Sequence, residues 1–302
     1  MRHTCAVEDF PTALPAWESP HAASTSADAN MSSMSGRLRI NVWAMWIRLR
    51  QIAVVTEDLR KTALDVQTVL GAEPCFTDPG VKIFGLKNTL WPIGTQFLEC
   101  VTPIQDGTAG GRYIDRRGGD SGYMVITEVD DVAHRRAHVA ELDVRVAFNL
   151  DDAAGGHDGI QLHPADTGGS FFEMDQMTLE GGGEVGGPWY PAGKNWQPYV
   201  RTDMVSGIAT AELQSPDPDR LAARWAQIAE LELGADANGN PSMQLDNATI
   251  RFVEATDGRG EGLGGIDVTC VDREAVLAGA RMRDCYVNDD LVMVGGLRIG
   301  LV

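Results

Sequence analysis

Gly168–Glu173 reads GGSFFE and Gly94–Glu99 reads GTQFLE, two strand endings of one kind. Each follows an apolar strand that runs into an acidic helix start. LRQIAVV (Leu49–Val55) leads to Thr56, Glu57 and Asp58, and MVITEV (Met124–Val129) leads to Asp130 and Asp131. With the helix starts Asp58 and Asp131 aligned, Gln51 falls opposite Met124. With the strand ends aligned, Glu99 falls opposite Glu173. Gln51 to Glu99 spans 48 positions and Met124 to Glu173 spans 49. Two independent alignments agree within one residue, so the segment is an internal repeat, and a repeat takes priority over local readings of its parts.

In the first copy, Leu59, Ala63, Leu64, Val66 and Leu70 fall at helical spacing and Gly71 sits where a helix ends. Strands expected at 73–76, 81–86 and 95–101 complete a βαβββ order. The second copy places a helix over 132–142 and strands near 144–149, 159–163 and 170–174. A third begins GIATAELQSPDPDRLAARWAQIAEL (Gly207–Leu231) and ends ATIRFVEA (Ala248–Ala255). A shorter fourth runs from GGIDVTCVDREAVLAGA at Gly264 to the terminal LRIGLV. The fold class is thus α+β, with four βαβββ modules. Residues 1–36, rich in Ala, Ser, Thr, Pro and Met without a period, read as a disordered tail. The expected organisation is 37–177 (modules one and two), a Gly-, Pro- and aromatic-rich linker at 178–200, and 201–302 (modules three and four, degenerate).

A formal charge of −18, from 25 Lys plus Arg against 43 Asp plus Glu, argues against a nucleic-acid partner, which requires a clustered basic surface. No apolar run approaches the roughly 18 residues that would span a bilayer. The five cysteines, Cys5, Cys75, Cys100, Cys270 and Cys285, are scattered and never form a CxxC pair, which points to reduced thiols in the cytoplasm. Glu8 and Asp9 directly after Val7 do not suit a secretory signal.

Strand starts of the type QIAVVTEDL and strand ends of the type FLE, in four βαβββ copies, resemble the vicinal-oxygen-chelate superfamily of glyoxalase, bleomycin-resistance and extradiol-dioxygenase-like proteins. LHPADTGGSFFEMD (Leu162–Asp175) is similar to the closing hairpin of methylmalonyl-CoA epimerases and glyoxalase-like proteins. The resemblance covers about residues 49–176 well and 204–302 weakly. It implies that paired modules form two half-open barrel domains, each around one cavity, with the working cavity in the N-terminal half.

In metal-using relatives four ligands line that cavity, from the first and last strand of each module. Carried over by position they are Gln51, Glu99, Met124 and Glu173. Gln51, Glu99 and Glu173 are oxygen donors suited to a divalent ion such as Zn, Ni, Co, Mn or Mg, whereas the Met124 thioether departs from the pattern. The implied chemistry is proton transfer next to a carbonyl of a small molecule, that of a lyase or an isomerase or epimerase, with Glu173 first and Glu99 second as base. The alternative is a metal-free small-molecule-binding protein of the drug-sequestering kind. A ring-cleaving dioxygenase, which needs two His and one Glu, fits poorly.

Other residues weigh as follows. His163 begins a turn and is either a structural hydrogen-bonding group or a substrate contact. Trp189, Tyr190 and Trp196 either cover a ligand, with Met124 beside it, or fill a seam. His134 and His138 sit on a solvated helix face. AGGRYIDRRGGDSGY (Ala109–Tyr123) and GGGEVGG read as flexible loops that lack dinucleotide or phosphate-loop order. In modules three and four the matching positions are Thr210, Glu254, Gly265 and Gly300 or Leu301, which cannot hold a metal. The C-terminal half is expected to serve as a scaffold, a lid or a homodimer surface.

Overall fold

The computed structural model describes residues 45–152 and 154–302. The tail at 1–36 therefore lies outside the described residues. The first module comprises β1 (Ile47–Val55), α1 (Leu59–Leu70), β2 (Leu86–Ile93) and β3 (Gln96–Pro103), and α2 (Ala109–Arg117) joins it to the second. The second holds β4 (Ser121–Val129), α3 (Val132–Glu141), β5 (Val146–Asn149), β6 (His157–Leu162) and β7 (Phe171–Met177). The third holds β8 (Val205–Ser215), α4 (Pro218–Ala229), β9 (Gly234–Ala235), β10 (Pro241–Gln244) and β11 (Thr249–Glu254). The fourth holds β12 (Gly262–Cys270), α5 (Arg273–Met282), β13 (Tyr286–Asn288), β14 (Leu291–Val294) and β15 (Leu297–Leu301).

The four module helices start by one device. Asp58, Asp131, Asp217 and Asp272 each accept a hydrogen bond from the backbone N–H three residues on, satisfying a donor that the first helical turn leaves unpaired.

Three expectations fail locally. The strand expected at 81–86 is a 3-10 turn, Pro79–Phe84: Pro79 fixes the backbone, Asp78 caps Gly80 N, and Gly85 turns left-handed at φ 70°. The strand expected at 73–76 shrinks to a single bridge, Phe76 to Leu90. The 109–117 stretch read as a flexible loop is α2, capped by the Thr108 side chain and closed by Gly118.

Each pair of modules makes one curled, half-open barrel sheet. The N-terminal order is β2-β3-β1-β4-β7-β6-β5 and the C-terminal order is β13-β14-β15-β12-β8-β11-β10-β9. In the first, β1 and β4 pair antiparallel at the centre while β3 and β7 run parallel to them. Phe84, just before one edge strand, meets Phe148 on the other edge strand edge-to-face at 5.0 Å, so the curl almost closes.

One face of each sheet, together with α1, α3, α4 and α5, forms a single apolar core that includes Ile52, Val69, Val139, Phe172, Trp225, Leu213, Ile266 and Val276. Helices pair across the chain. On α5, a side chain at Gly279 would strike the Thr68 carbonyl of α1, so glycine sets their close approach. On α3, Arg135 donates to Ala229 O and Glu230 at the end of α4, 2.8 Å each. Among the described residues no helix is long and apolar enough to cross a membrane.

Candidate functional site

The other face of the N-terminal sheet is concave, and alternation along each strand, broken by a register shift between Leu49 and Gln51 in β1, decides what it carries. From β1 come Arg50, Gln51 and Ala53; from β3, Phe97 and Glu99; from β4, Met124, Ile126 and Glu128; from β7, Phe171, Glu173 and Asp175. Apolar members of this face form a second cluster with Tyr113 and Ile114 of α2 and with Trp189, Ala192 and Trp196. The segment carrying Trp189, Ala192 and Trp196 and helix α2 therefore lie over the concave surface.

Glu99 and Glu173 both point into this cluster, at 6% and 5% exposure. Glu99 is held at both oxygens: Asn88 Nδ2 donates to Oε1 at 2.6 Å and Gln51 Nε2 to Oε2 at 2.9 Å. Burial disfavours its charged form and the two amide bonds offset that only in part, so its carboxyl is pushed up to about 7. Glu173 accepts from Gln161 Nε2 at 2.8 Å. Burial raises it well above the usual carboxylate range, and the neighbouring Asp175 and Glu99 carboxyls push the same way. Asp175 lies 3.3 Å from His157 Nε2, outside good hydrogen-bond geometry. His157 resists charging through burial, yet Asp175 more than compensates and raises it.

At the end of this face Arg50 pairs with Glu128 at 3.1 Å and donates to Gly187 O at 3.2 Å. Burial lowers the Arg50 affinity for its proton and Glu128 opposes this. Sequence reading missed Asn88, Gln161, Asp175 and Arg50. The first two lie on strands whose polar residues broke the apolar pattern, and their partnership with the two glutamates is visible only once β2 pairs β3 and β6 pairs β7.

The residues expected at the site divide. Gln51, Glu99, Met124, Glu173 and Trp189 meet in the concave face. Tyr190 is on the rim, stacked on His157 at 4.9 Å and donating to Asp152 at 2.8 Å. His163 caps the β6–β7 turn, its Nδ1 accepting from Ala165 N at 3.1 Å. His134 and His138 stack on each other and bond to Glu230 and Gln227 O, a seam with α4.

As a metal centre the donor set does not fit. Gln51 spends its amide nitrogen on Glu99 and its carbonyl oxygen on Trp189 Nε1 at 2.8 Å, so these two candidate ligands are turned to each other and to an indole. Met124 adds only a thioether. Among the described residues no three His, Cys, Asp or Glu side chains group closely enough to hold a metal ion.

The C-terminal concave face is different in kind. Aligning Asp217 with Asp58 makes Glu212 the counterpart of Ala53. Glu212 lies opposite Arg251 just as Ala53 lies opposite Glu99. Arg251, not Glu254, is therefore the counterpart of Glu99; counting from the strand end failed because β11 runs on past the register position. Arg251 bonds Glu212 (2.7 Å) and Asp267 (2.8 Å), and Arg298 bonds Glu212 (2.9 Å) and Asp257 (2.7 Å), a closed charge network.

No family model and no curated protein matches the sequence. Solved structures do match. A hypothetical protein from Staphylococcus aureus superposes with a TM-score of 0.57 at 12% identity, over 85% of this chain and 99% of that one. A triple mutant of 4-hydroxymandelate synthase from Streptomyces coelicolor gives 0.58 at 14% identity, over 79% of this chain and 75% of that one. Methylmalonyl-CoA epimerase from Mycobacterium tuberculosis gives 0.39 at 16% identity, over 44% of this chain and 89% of that one. Identities this low speak to the fold alone.

Proposed function

We propose that this chain, whose fold is that of the vicinal-oxygen-chelate superfamily, is an enzyme that moves a proton at the carbon next to a carbonyl of a small molecule, as an isomerase or epimerase or a lyase does. The observation that carries this reading is a pair of carboxyl groups, Glu99 and Glu173, buried on one apolar concave face and each held by a side-chain amide. Carboxyls whose proton affinities are raised and set apart by their surroundings divide naturally into a base and an acid.

The electrostatics favour a division opposite to the one expected from sequence. Glu99, at about 7 and bonded at both oxygens by amide donors that favour its charged form, is assigned the base, and Glu173, raised well above the usual carboxylate range by burial and then by Asp175, is assigned the acid. Glu99 takes the proton from carbon, the C–H electrons pass into the carbon–carbon double bond of an enol, and Glu173 gives its proton to the carbonyl oxygen. Returning a proton to carbon while Glu173 recovers the enol proton restores both groups. Asn88 and Gln51 fix the base, Gln161 fixes the acid, and the surrounding aromatic residues exclude water. The donor geometry assigns no step to a metal ion.

The test is exchange of carbon-bound hydrogen for deuterium in D2O, followed by NMR across a panel of 2-oxo acids and acyl thioesters. Exchange by the unaltered protein that falls at least about 100-fold in both Glu99→Gln and Glu173→Gln supports the reading. Exchange that survives both substitutions, or none with any compound, refutes it and leaves the binding-protein alternative.

A further inference from the structure

The concave face already has an occupant, and it is part of the chain. The Trp189 indole is 1% exposed, donates Nε1–H to Gln51 Oε1 at 2.8 Å, and lies beneath the Arg50 guanidinium, 4.9 Å from the ring centroid. Trp196 packs edge-on against Phe97 at 4.9 Å. Most other walls of this cluster are strand or α2 residues. The indoles come instead from an irregular segment in which Gly181, Gly183, Gly186 and Gly193 have left-handed backbones.

That segment is held down by a few separable polar ties. Gly183 N donates to Glu128 at 3.1 Å, Gly187 O accepts from Arg50 at 3.2 Å, and the Tyr190 hydroxyl donates to the half-buried Asp152 at 2.8 Å. Segments without regular structure open at lower cost than the sheets they cover.

From these contacts we propose that Trp189 is an internal stand-in for the ligand, and that this face takes a planar aromatic compound with a ring N–H or O–H. The compound replaces the indole on Gln51 when the stretch from Gly181 to Tyr190 lifts, Trp196 staying in place on Phe97. The inference rests on the concave face being the working site and names its substrate class. Gln51 supplies the acceptor: its amide nitrogen is committed to Glu99, so its oxygen faces whatever fills the indole position. Trp196 Nε1 is a second recognition group, 2% exposed and without an acceptor among the described residues. A buried donor in that state is costly, and a ligand carbonyl oxygen satisfies it. Arg50 stacks on an aromatic face, which disfavours a saturated ligand of equal size.

The test is calorimetric titration of the unaltered full chain with indole and with indene, which has the same shape but no N–H. Indole is expected to bind at least about tenfold more tightly than indene, the worth of one buried hydrogen bond. Gln51→Leu should bring the two within about twofold, and Trp189→Ala should tighten indole binding because nothing must be displaced. Indole binding to Trp189→Ala but not to the unaltered protein overturns the proposal, since Trp189 is then a fixed core residue. Equal binding of indole and indene to the unaltered protein also overturns it, whether or not the variants fold. Binding is read without turnover. A tenfold preference with no deuterium exchange therefore upholds the ligand class while refuting the catalytic reading.

Discussion

Replacing Glu99 by Gln should turn a pH-dependent cost into a constant one. In the unfolded chain this carboxyl titrates near its ordinary 4.5, and in the fold near 7. A carboxyl raised on folding contributes stability below pH 4.5 and loses it as pH rises through about 7, because the buried site must then hold a charge. At about 1.36 kcal/mol per tenfold change in proton affinity, the full loss is about 3 kcal/mol. Glu99→Gln cannot ionise, so it escapes that loss, but its new amide meets the Gln51 amide donor to donor, costing about 1 kcal/mol at every pH. The variant should be less stable than the parent at pH 4.5 and more stable by about 2 kcal/mol at pH 8.5. Urea unfolding at half-unit pH steps measures the crossover. A stability difference that stays flat from pH 4.5 to 8.5 would show that Glu99 does not hold its proton in the fold and would remove the base from the proposed chemistry.

Three further outcomes are expected. Trp225 is fully buried, stacks on Phe172 at 4.4 Å and donates to Thr167 O at 2.7 Å, so Trp225→Ala should lower stability by about 3–5 kcal/mol in chemical denaturation; a loss under about 1 kcal/mol would contradict a shared core. Gly279→Ala should cost about 1–3 kcal/mol by forcing α1 and α5 apart, read as a lower melting temperature, and an unchanged melting temperature would deny their close approach. The Cys100 thiol, raised to about 12 by burial, should resist a thiol reagent at pH 8 until urea is added, whereas rapid native labelling at that position, located by mass spectrometry, would contradict its burial.

Much of the architecture was legible because the module signals are local. An aspartate at each helix start and alternating apolar residues on each strand need no tertiary information, and the separation of Gln51 from Glu99 fixed the register of the repeat. What failed was also physical. Leu86–Ile93 alternates buried Leu86, Asn88 and Leu90 with Lys87 and Thr89, and the buried Asn88 made the strand look polar. The glycines at 110 and 111 hid α2, whose backbone is accepted only because the helix packs closely beneath Leu86 and Val55. Gln51, Glu99 and Glu173 were singled out by position and the fold brings them to one face, but the amide partners Asn88 and Gln161 sit on the neighbouring hairpin strands, where only the pairing register reveals them. The aromatic linker residues were noticed, yet only the fold distinguishes an indole on Gln51 from a seam filler.

The cross-chain pairing of helices, α1 with α5 and α3 with α4, bears on how such a protein can change over evolutionary time. Modules three and four furnish the opposite wall of the core beneath the N-terminal sheet, so selection can erase any ligand chemistry from their outward face while keeping every core position. A doubled ancestor could thus specialise one half for chemistry and retain the other purely as architecture. Deleting that second half would expose Phe172, Val69 and Val139 to water. The half without the carboxylate pair is therefore inherited under the same constraint as the half that carries it.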